Sequence, residues 1–268
     1  MKKWNAASIK AAKGVHKLAC LTAYDTGSAR LADAAGIALL LVGDSLGMTV
    51  LGYDSTLPVT MADMLHHTAA VTRGVTSAMV VADMPFLSYQ INLEEAFRNA
   101  GRFIQEAGAD AVKIEGGAIR AELVRTLTEN GIPVLGHIGL TPQSINVLGG
   151  YKVQGKTHEA RDRLIEDAQA LAEAGAFAIV LECTPSDIGA AVTAAVPVPV
   201  ISVGAGPECD GQMLVMHDML GLTERAPKFV KPYASLATTM RDAFAAYAAE
   251  VEAGSFPAPE HCYAAAPS

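Results

Sequence analysis

Four acidic side chains and one lysine stand at the ends of apolar runs in this 268-residue sequence. Asp44 closes LLLVGD, Asp83 closes VVAD, Glu115 ends AVKIE with Lys113 two positions before it, and Glu182 ends IVLE. Carboxylates so placed can hold a hard divalent cation, remove a proton, or cap the next helix. Capping is the ordinary role of a single strand-end acid. It fits poorly here, because the helices after Asp44, Asp83 and Glu115 are expected to begin several residues later, at better caps such as Thr60 and Asn92. Three acids from neighbouring strands can share one cation, and oxygen-only ligands suit Mg²⁺ or Mn²⁺ rather than zinc.

Glu182 stands apart from the other three. It follows a largely apolar run, and burial raises a carboxyl toward the pKa of a useful base; the alternative is a salt bridge to a lysine or arginine in the interior. Lys113 and Glu115 differ by two positions and therefore face the same side of a strand. Lys113 is either a structural counter-ion or the group that holds a substrate carboxylate. His137, at the end of a further apolar run, is either a substrate contact or a core histidine. Gly204-Ala205-Gly206 is either a place where a ligand approaches backbone amides or a tight turn. Asp25 reads as a helix N-cap, and the adjacent His66 and His67 point in different directions and form no chelating pair.

The elements that position these residues follow one repeated pattern: an Ala-rich amphipathic helix ends at Gly, and a β-branched or Leu-rich run follows. It is visible in LADAAG-IALLLVGD (31–44), FIQEAG-ADAVKIEG (103–116), LTENG-IPVLGHIG (127–139) and LAEAG-AFAIVLEC (171–183). Glycine supplies the left-handed residue that ends a helix, and nearly all-apolar runs are the mark of parallel strands covered on both faces. Strands are expected near 17–22, 37–42, 78–82, 111–114, 133–137, 177–181 and 199–203, with an eighth near 228–231. Helices are expected near 26–35, 61–73, 93–107, 118–129, 157–174, 186–195, 208–220 and 235–252. The fold class is α/β, and eight such units predict a (β/α)8 TIM barrel in a single domain over 1–268, with a loosely held tail from about 254. An open doubly wound sheet would favour a G-x-G-x-x-G fingerprint after the first strand, which LTAYDTGSA lacks. Two long loops, from Gly43 to Thr60 and from about Ile138 to Lys156, would lie on the C-terminal face of a barrel, where active sites form.

Composition narrows the function classes. The chain is 51% apolar, which excludes disorder. It has 28 Asp and Glu against 20 Lys and Arg, and that acidic balance with no basic run argues against nucleic-acid partners. The longest apolar run, Ala34 to Gly43, is half of what a spanning helix needs, and lysines interrupt the N-terminal stretch where a signal peptide would need apolar residues. The four cysteines form no CxxC pair and match no zinc spacing, which suits reduced thiols in the cytoplasm.

Seven stretches together resemble the ketopantoate (3-methyl-2-oxobutanoate) hydroxymethyltransferase family across nearly the whole chain. They are LTAYD (21–25), LLVGDSLGMTVLGYDSTLPVT (40–60), ADMPF (82–86), VKIEGG (112–117), GHIGLTPQSINVLGGYKVQGK (136–156), LEC (181–183) and VGAGPECDGQMLVMHDMLGL (203–222). Ser202, in ISVGAG, departs from the family's Gly. The resemblance implies a barrel of the phosphoenolpyruvate/pyruvate type. It implies a hydroxymethyl transfer from 5,10-methylenetetrahydrofolate to 3-methyl-2-oxobutanoate, giving ketopantoate for pantothenate and coenzyme A synthesis through a metal-stabilised enolate. Carried over by motif, the Mg²⁺ (or Mn²⁺) ligands fall on Asp44, Asp83 and Glu115. Substrate contacts fall on Asp44, Ser45, Asp83 and Lys113, and the proton acceptor on Glu182. The resemblance further implies a homo-oligomer such as a decamer. Two other readings fit the same residues: a 2-oxo-acid lyase working through the same enolate, and a binding barrel that takes metal and oxo acid without turnover.

Overall fold

The structure is a computed structural model and describes residues 4–264. Eight parallel strands close into a barrel in chain order, each bonded to its sequence neighbour and the last to the first. In order, the elements are α1 (Ala6–Ala11), β1 (Leu18–Thr22), α2 (Thr26–Ala34), β2 (Leu39–Val42), α3 (Leu46–Thr49), α4 (Met61–Gly74), β3 (Met79–Asp83), α5 (Leu93–Gln105) and β4 (Ala111–Glu115). They continue as α6 (Ala121–Glu129), β5 (Val134–Gly139), α7 (Ile145–Leu148), α8 (His158–Glu173), β6 (Ala178–Glu182), α9 (Ser186–Ala195), β7 (Val200–Val203), β8 (Gly211–Leu214), α10 (Met216–Met219) and α11 (Leu236–Glu252). The barrel and the first seven strands agree with the sequence-based expectation.

Helix starts follow side-chain chemistry. Asp25, Thr60, Asn92 and Thr157 each accept the backbone N–H three residues on, and so cap α2, α4, α5 and α8. Helix ends follow the repeated glycine, as at Gly36 and Gly175 with φ of 85° and 103°. Asp33, at the end of α2, accepts the backbone N–H groups of Thr76, Ser77 and Ala78 and so fixes the entry to β3.

Strand alternation sorts the barrel interior into layers. Leu18, Leu39, Met79, Ala111, Leu135, Ala178, Ile201 and Met213 form an apolar lower core with Val81 and Val180. Ile9 and Ala12, from α1 and its C-terminal end, pack into the same cluster and plug the N-terminal end. Counting on by twos from these inward positions gives Thr22, Asp83, Lys113, Glu115, His137 and Glu182. The apolar floor and the polar mouth are therefore two layers of one pleat.

Two expectations are corrected. The eighth strand is Gly211–Leu214, not 228–231, and it occupies part of the 208–220 segment expected to be helical; only the short α10 lies there. Barrel closure decides this, since Gly211–Leu214 pairs with Leu18–Leu21 on one side and with Ile201–Ser202 on the other. Asp44 is followed at once by the short helix α3, whose N-cap Ser45 makes no capping bond. The stretch after Glu115 agrees with expectation: a 3-10 turn begins at Ala118 and runs into α6.

The chain divides into two compact units, one up to Met216 and one from His217. The first contains all eight strands. In the second, α11 presents no buried residue, and Phe256 lies 5.7 Å from the ring of Tyr247 and 5.2 Å from that of His261. The expected loose tail begins within this unit, and its last four residues, 265–268, lie outside the described residues. Among the described residues no helix is long and apolar enough to cross a membrane.

Candidate active site

Strand register brings the predicted residues together at the C-terminal mouth. Asp83 stands opposite Lys113, Glu115 opposite His137, and Gly139 opposite Glu182. Lys113 Nζ donates to Asp83 Oδ1 and lies 4.0 Å from Glu115 Oε1. The backbone N–H of Asp44 donates to Asp83 Oδ2 at 3.0 Å, so the tip of β2 is tied to β3. His137 sits between two acids, with Nδ1 3.4 Å from Glu115 Oε1 and Nε2 3.2 Å from Glu182 Oε2. Both contacts lack hydrogen-bond geometry, leaving charge as the main attraction.

Burial sets the electrostatics. Asp44, Asp83, Lys113, Glu115 and His137 are each at most 4% exposed, whereas the side chain of Glu182 keeps 18%. Burial, then the charges of Asp83 and Glu115, push the Asp44 carboxyl well above the usual range. Burial also raises Asp83, against the opposing charge of Lys113. Glu115 goes the other way: burial would raise it, but His137, Lys113 and the backbone N–H of Gln143 hold it down. Lys113 is held charged by its carboxylates despite burial. Burial and Lys113 oppose a proton on His137, yet Glu115 and Glu182 push its pKa up to about 9.

Among the described residues, no three His, Cys, Asp or Glu side chains gather closely enough to form a ready metal cage. The donor set nevertheless fits a hard cation. Asp44, Asp83 and Glu115 are buried together, and Glu115 Oε1 has no hydrogen-bond partner. Burial and then its neighbours' charge raise Asp44, so added positive charge would favour its ionised form. A cation held by these acids would complete its shell with water or ligand oxygens.

Ser45 is half-buried, and its hydroxyl shares a 2.8 Å hydrogen bond with the Tyr24 hydroxyl; a Cβ on the adjoining Gly43 would sit 2.7 Å from Ser45 Oγ and 3.5 Å from Asp83 Oδ2. Glu182 meets a histidine rather than the lysine or arginine of the salt-bridge alternative. Gly204–Gly206 forms a turn closed on itself: Ala205 N–H donates to buried Ser202 Oγ, and Gln212 Nε2 donates to Gly206 O.

Sequence reasoning missed Gln143 and Tyr89. Gln143 N–H donates to Glu115 Oε2 at 3.0 Å, and its Nε2 donates to Asp44 Oδ2 and to Met84 O, both at 2.9 Å. Tyr89 OH donates to Gln143 Oε1 at 2.6 Å and receives the Glu115 N–H at 3.3 Å. Neither residue is charged, so the search for acids and bases passed over them. The one available signal was the place of Gln143 in the long loop after the fifth strand.

The chain matches known proteins over nearly its whole length. Residues 3–259 match the family model described as ketopantoate hydroxymethyltransferase. The chain belongs to the ketopantoate hydroxymethyltransferase family. A 3-methyl-2-oxobutanoate hydroxymethyltransferase of Syntrophobacter fumaroxidans is 60% identical over 254 residues, covering 94% of this chain and 90% of that protein. The protein of the same name from Syntrophus aciditrophicus is 58% identical, covering 92% and 91%. Membership in this transferase family makes the chain an enzyme. Among solved structures, a phosphonopyruvate hydrolase superposes with a TM-score of 0.64 at 15% identity, covering 99% of this chain and 92% of that one. A 2,3-dimethylmalate lyase of the PEP mutase/isocitrate lyase superfamily does so with 0.61 at 18%, covering 96% and 92%. At those identities the likeness is one of fold, a (β/α)8 barrel as the sequence pattern predicts.

Proposed function

We propose that this ketopantoate hydroxymethyltransferase family member transfers a hydroxymethyl group from 5,10-methylenetetrahydrofolate to 3-methyl-2-oxobutanoate. The products are ketopantoate and tetrahydrofolate, with water supplying the hydroxyl oxygen. The observation that carries the reading is the contrast within the mouth. Asp83, Lys113 and Glu115 are sealed and joined by ion pairs, with Asp44 sealed beside them, while Glu182 keeps a partly accessible side chain beside His137.

Asp44, Asp83 and Glu115 would hold a divalent ion, which supplies a Lewis acid for the keto and carboxylate oxygens of a 2-oxo acid. One solved neighbour, a phosphonopyruvate hydrolase, is described in complex with oxalate and Mg²⁺, which supports that choice of ion and ligand class. Glu182 takes the proton from C3 of the oxo acid, and His137 holds the base in place through its Nε2. Lys113 and Ser45 bind the substrate carboxylate. The carbon so deprotonated attacks the one-carbon unit of the folate. The proposal includes a cytoplasmic homo-oligomer without a membrane partner; the excess of acidic side chains supports the absence of a nucleic-acid partner.

Proton removal needs no folate if Glu182 is the base. In D₂O with Mg²⁺, the native protein should exchange the C3 hydrogen of 3-methyl-2-oxobutanoate without forming product. Glu182→Gln should slow that exchange by about 10²-fold or more, with oxo-acid affinity little changed. Equal exchange rates by NMR would defeat the assignment. Turnover of the oxo acid without folate would replace the transferase by a lyase.

A further inference from the structure

Gln143 joins more of the site than any of the acids does. It belongs to the 3-10 turn Pro142–Ser144 after β5, yet it is only 6% exposed. A primary amide has two N–H donors and one oxygen with two lone pairs. Here all four are engaged: the donors by Asp44 Oδ2 and Met84 O, the acceptor by Tyr89 OH and, at 3.3 Å, Gln90 Nε2. The amide cannot be turned over, because Met84 O can only accept and Gln90 Nε2 can only donate. The backbone N–H of the same residue meets Glu115 Oε2. One uncharged residue from the β5 loop therefore fixes one oxygen of an acid from β2 and one oxygen of an acid from β4.

The remaining oxygen of Glu115, Oε1, is the buried one without a hydrogen-bond partner. Pinning Oε2 settles which oxygen stays available. Tyr89 supports the arrangement from behind. Its hydroxyl bonds both Gln143 Oε1 and the Glu115 backbone, and the Arg120 guanidinium lies 5.3 Å over its ring.

We propose that Gln143 is the positioning residue of this site: by clamping Asp44 and Glu115 at once it sets the acids for a divalent cation, with Tyr89 holding the clamp. This rests on the reading of Asp44 and Glu115 as cation-binding acids given under the proposed function. Groups that orient ligating carboxylates are worth about 10–100-fold in metal affinity.

The test is a calorimetric titration of the full chain with Mn²⁺ alone, beside thermal melting and steady-state kinetics. Gln143→Met keeps length and the backbone N–H but loses the amide. It should bind Mn²⁺ about 10-fold or more weakly, with kcat falling more than the KM for the oxo acid changes. Tyr89→Phe removes a single hydroxyl and should weaken Mn²⁺ in the same direction by a few-fold, which keeps the test open should Gln143→Met fail to fold. Folded variants with Mn²⁺ affinity within twofold of the native protein would overturn the proposal, as would a lowered melting temperature alone. The titration does not depend on turnover. A chain that binds Mn²⁺ but makes no ketopantoate would defeat the transferase reading, while the variants would still decide the role of Gln143.

Discussion

Replacing Lys113 by methionine removes one charge from the centre of the mouth and leaves its stem. The side chains of Lys113 and Asp83 are 5% and 3% exposed, so solvent screens the pair little. Breaking a buried pair from one side costs about 3–5 kcal/mol, because the partner stays buried and uncompensated. Here Asp83, Asp44 and Glu115 would all lose the cation that opposes their repulsion. At about 2–4 °C per kcal/mol for a domain near this size, Lys113→Met should melt about 6–20 °C below the native protein in EDTA. Mg²⁺ should then raise the variant's melting temperature more than that of the native protein, since it meets unopposed negative charge. At about 100 times its dissociation constant, a ligand contributes about 2.7 kcal/mol. Differential scanning calorimetry with and without Mg²⁺ reads both effects. A variant melting within 2 °C of the native protein in EDTA would refute the view of Lys113 as the counter-ion of this cluster, and a raised oxo-acid KM alone would then leave it a substrate contact.

Other outcomes follow from features remote from the ion pair. Ile9→Ala should lose about 2–5 kcal/mol in denaturant unfolding while leaving oxo-acid binding unchanged, because it opens a cavity at the opposite end of the barrel. Gly139→Ala should reduce both melting temperature and C3 proton exchange: φ is 89° there, and the new Cβ would sit 2.3 Å from the carbonyl oxygen of Glu182. The Asp33 carboxyl is held below its usual range, since the donors on Thr76, Ser77 and Ala78 outweigh burial. Its stabilisation is therefore present above an unfolded pKa of about 4 and lost as pH falls through the lower folded value. Asp33→Asn should accordingly cost about 1–2 kcal/mol at neutral pH, with unfolding curves of the two proteins converging in acid.

Asp83, Lys113 and Glu115 were legible because alternation and sequence spacing fix both their depth and the side they face. Asp44 was legible only by its place at the tip of an apolar run, since the inward parity of β2, set by Leu39 and Leu41, falls on Gly43. The eighth strand was not legible. Gly211–Leu214 is four residues long, holds a glycine and a glutamine, and has no β-branched residue. KFVK at 228–231 looks more like a strand locally. Pairing with β1 and β7 outweighs that local preference, and pairing across some 190 residues leaves no mark in local sequence. Gln143 escaped for a related reason. Its role lies in where five hydrogen bonds end, and residue type alone does not disclose that. His137 was read as substrate contact or core residue, and its bridge between two carboxylates required the register of β4, β5 and β6 to appear.

The seam where β8 meets β1 bears on the order in which the molecule is made. Leu18 waits for Gly211 as its partner, so during synthesis the first strand has one neighbour for most of the time the chain is being extended. Over that interval β1 and the growing far side of the sheet are raw edges, open to pairing with another nascent copy. The loop to be closed is long, but closure entropy rises only with the logarithm of its length. The delay is one of waiting rather than of energy. Four residues with little strand character of their own end it, and in doing so remove both edges at once.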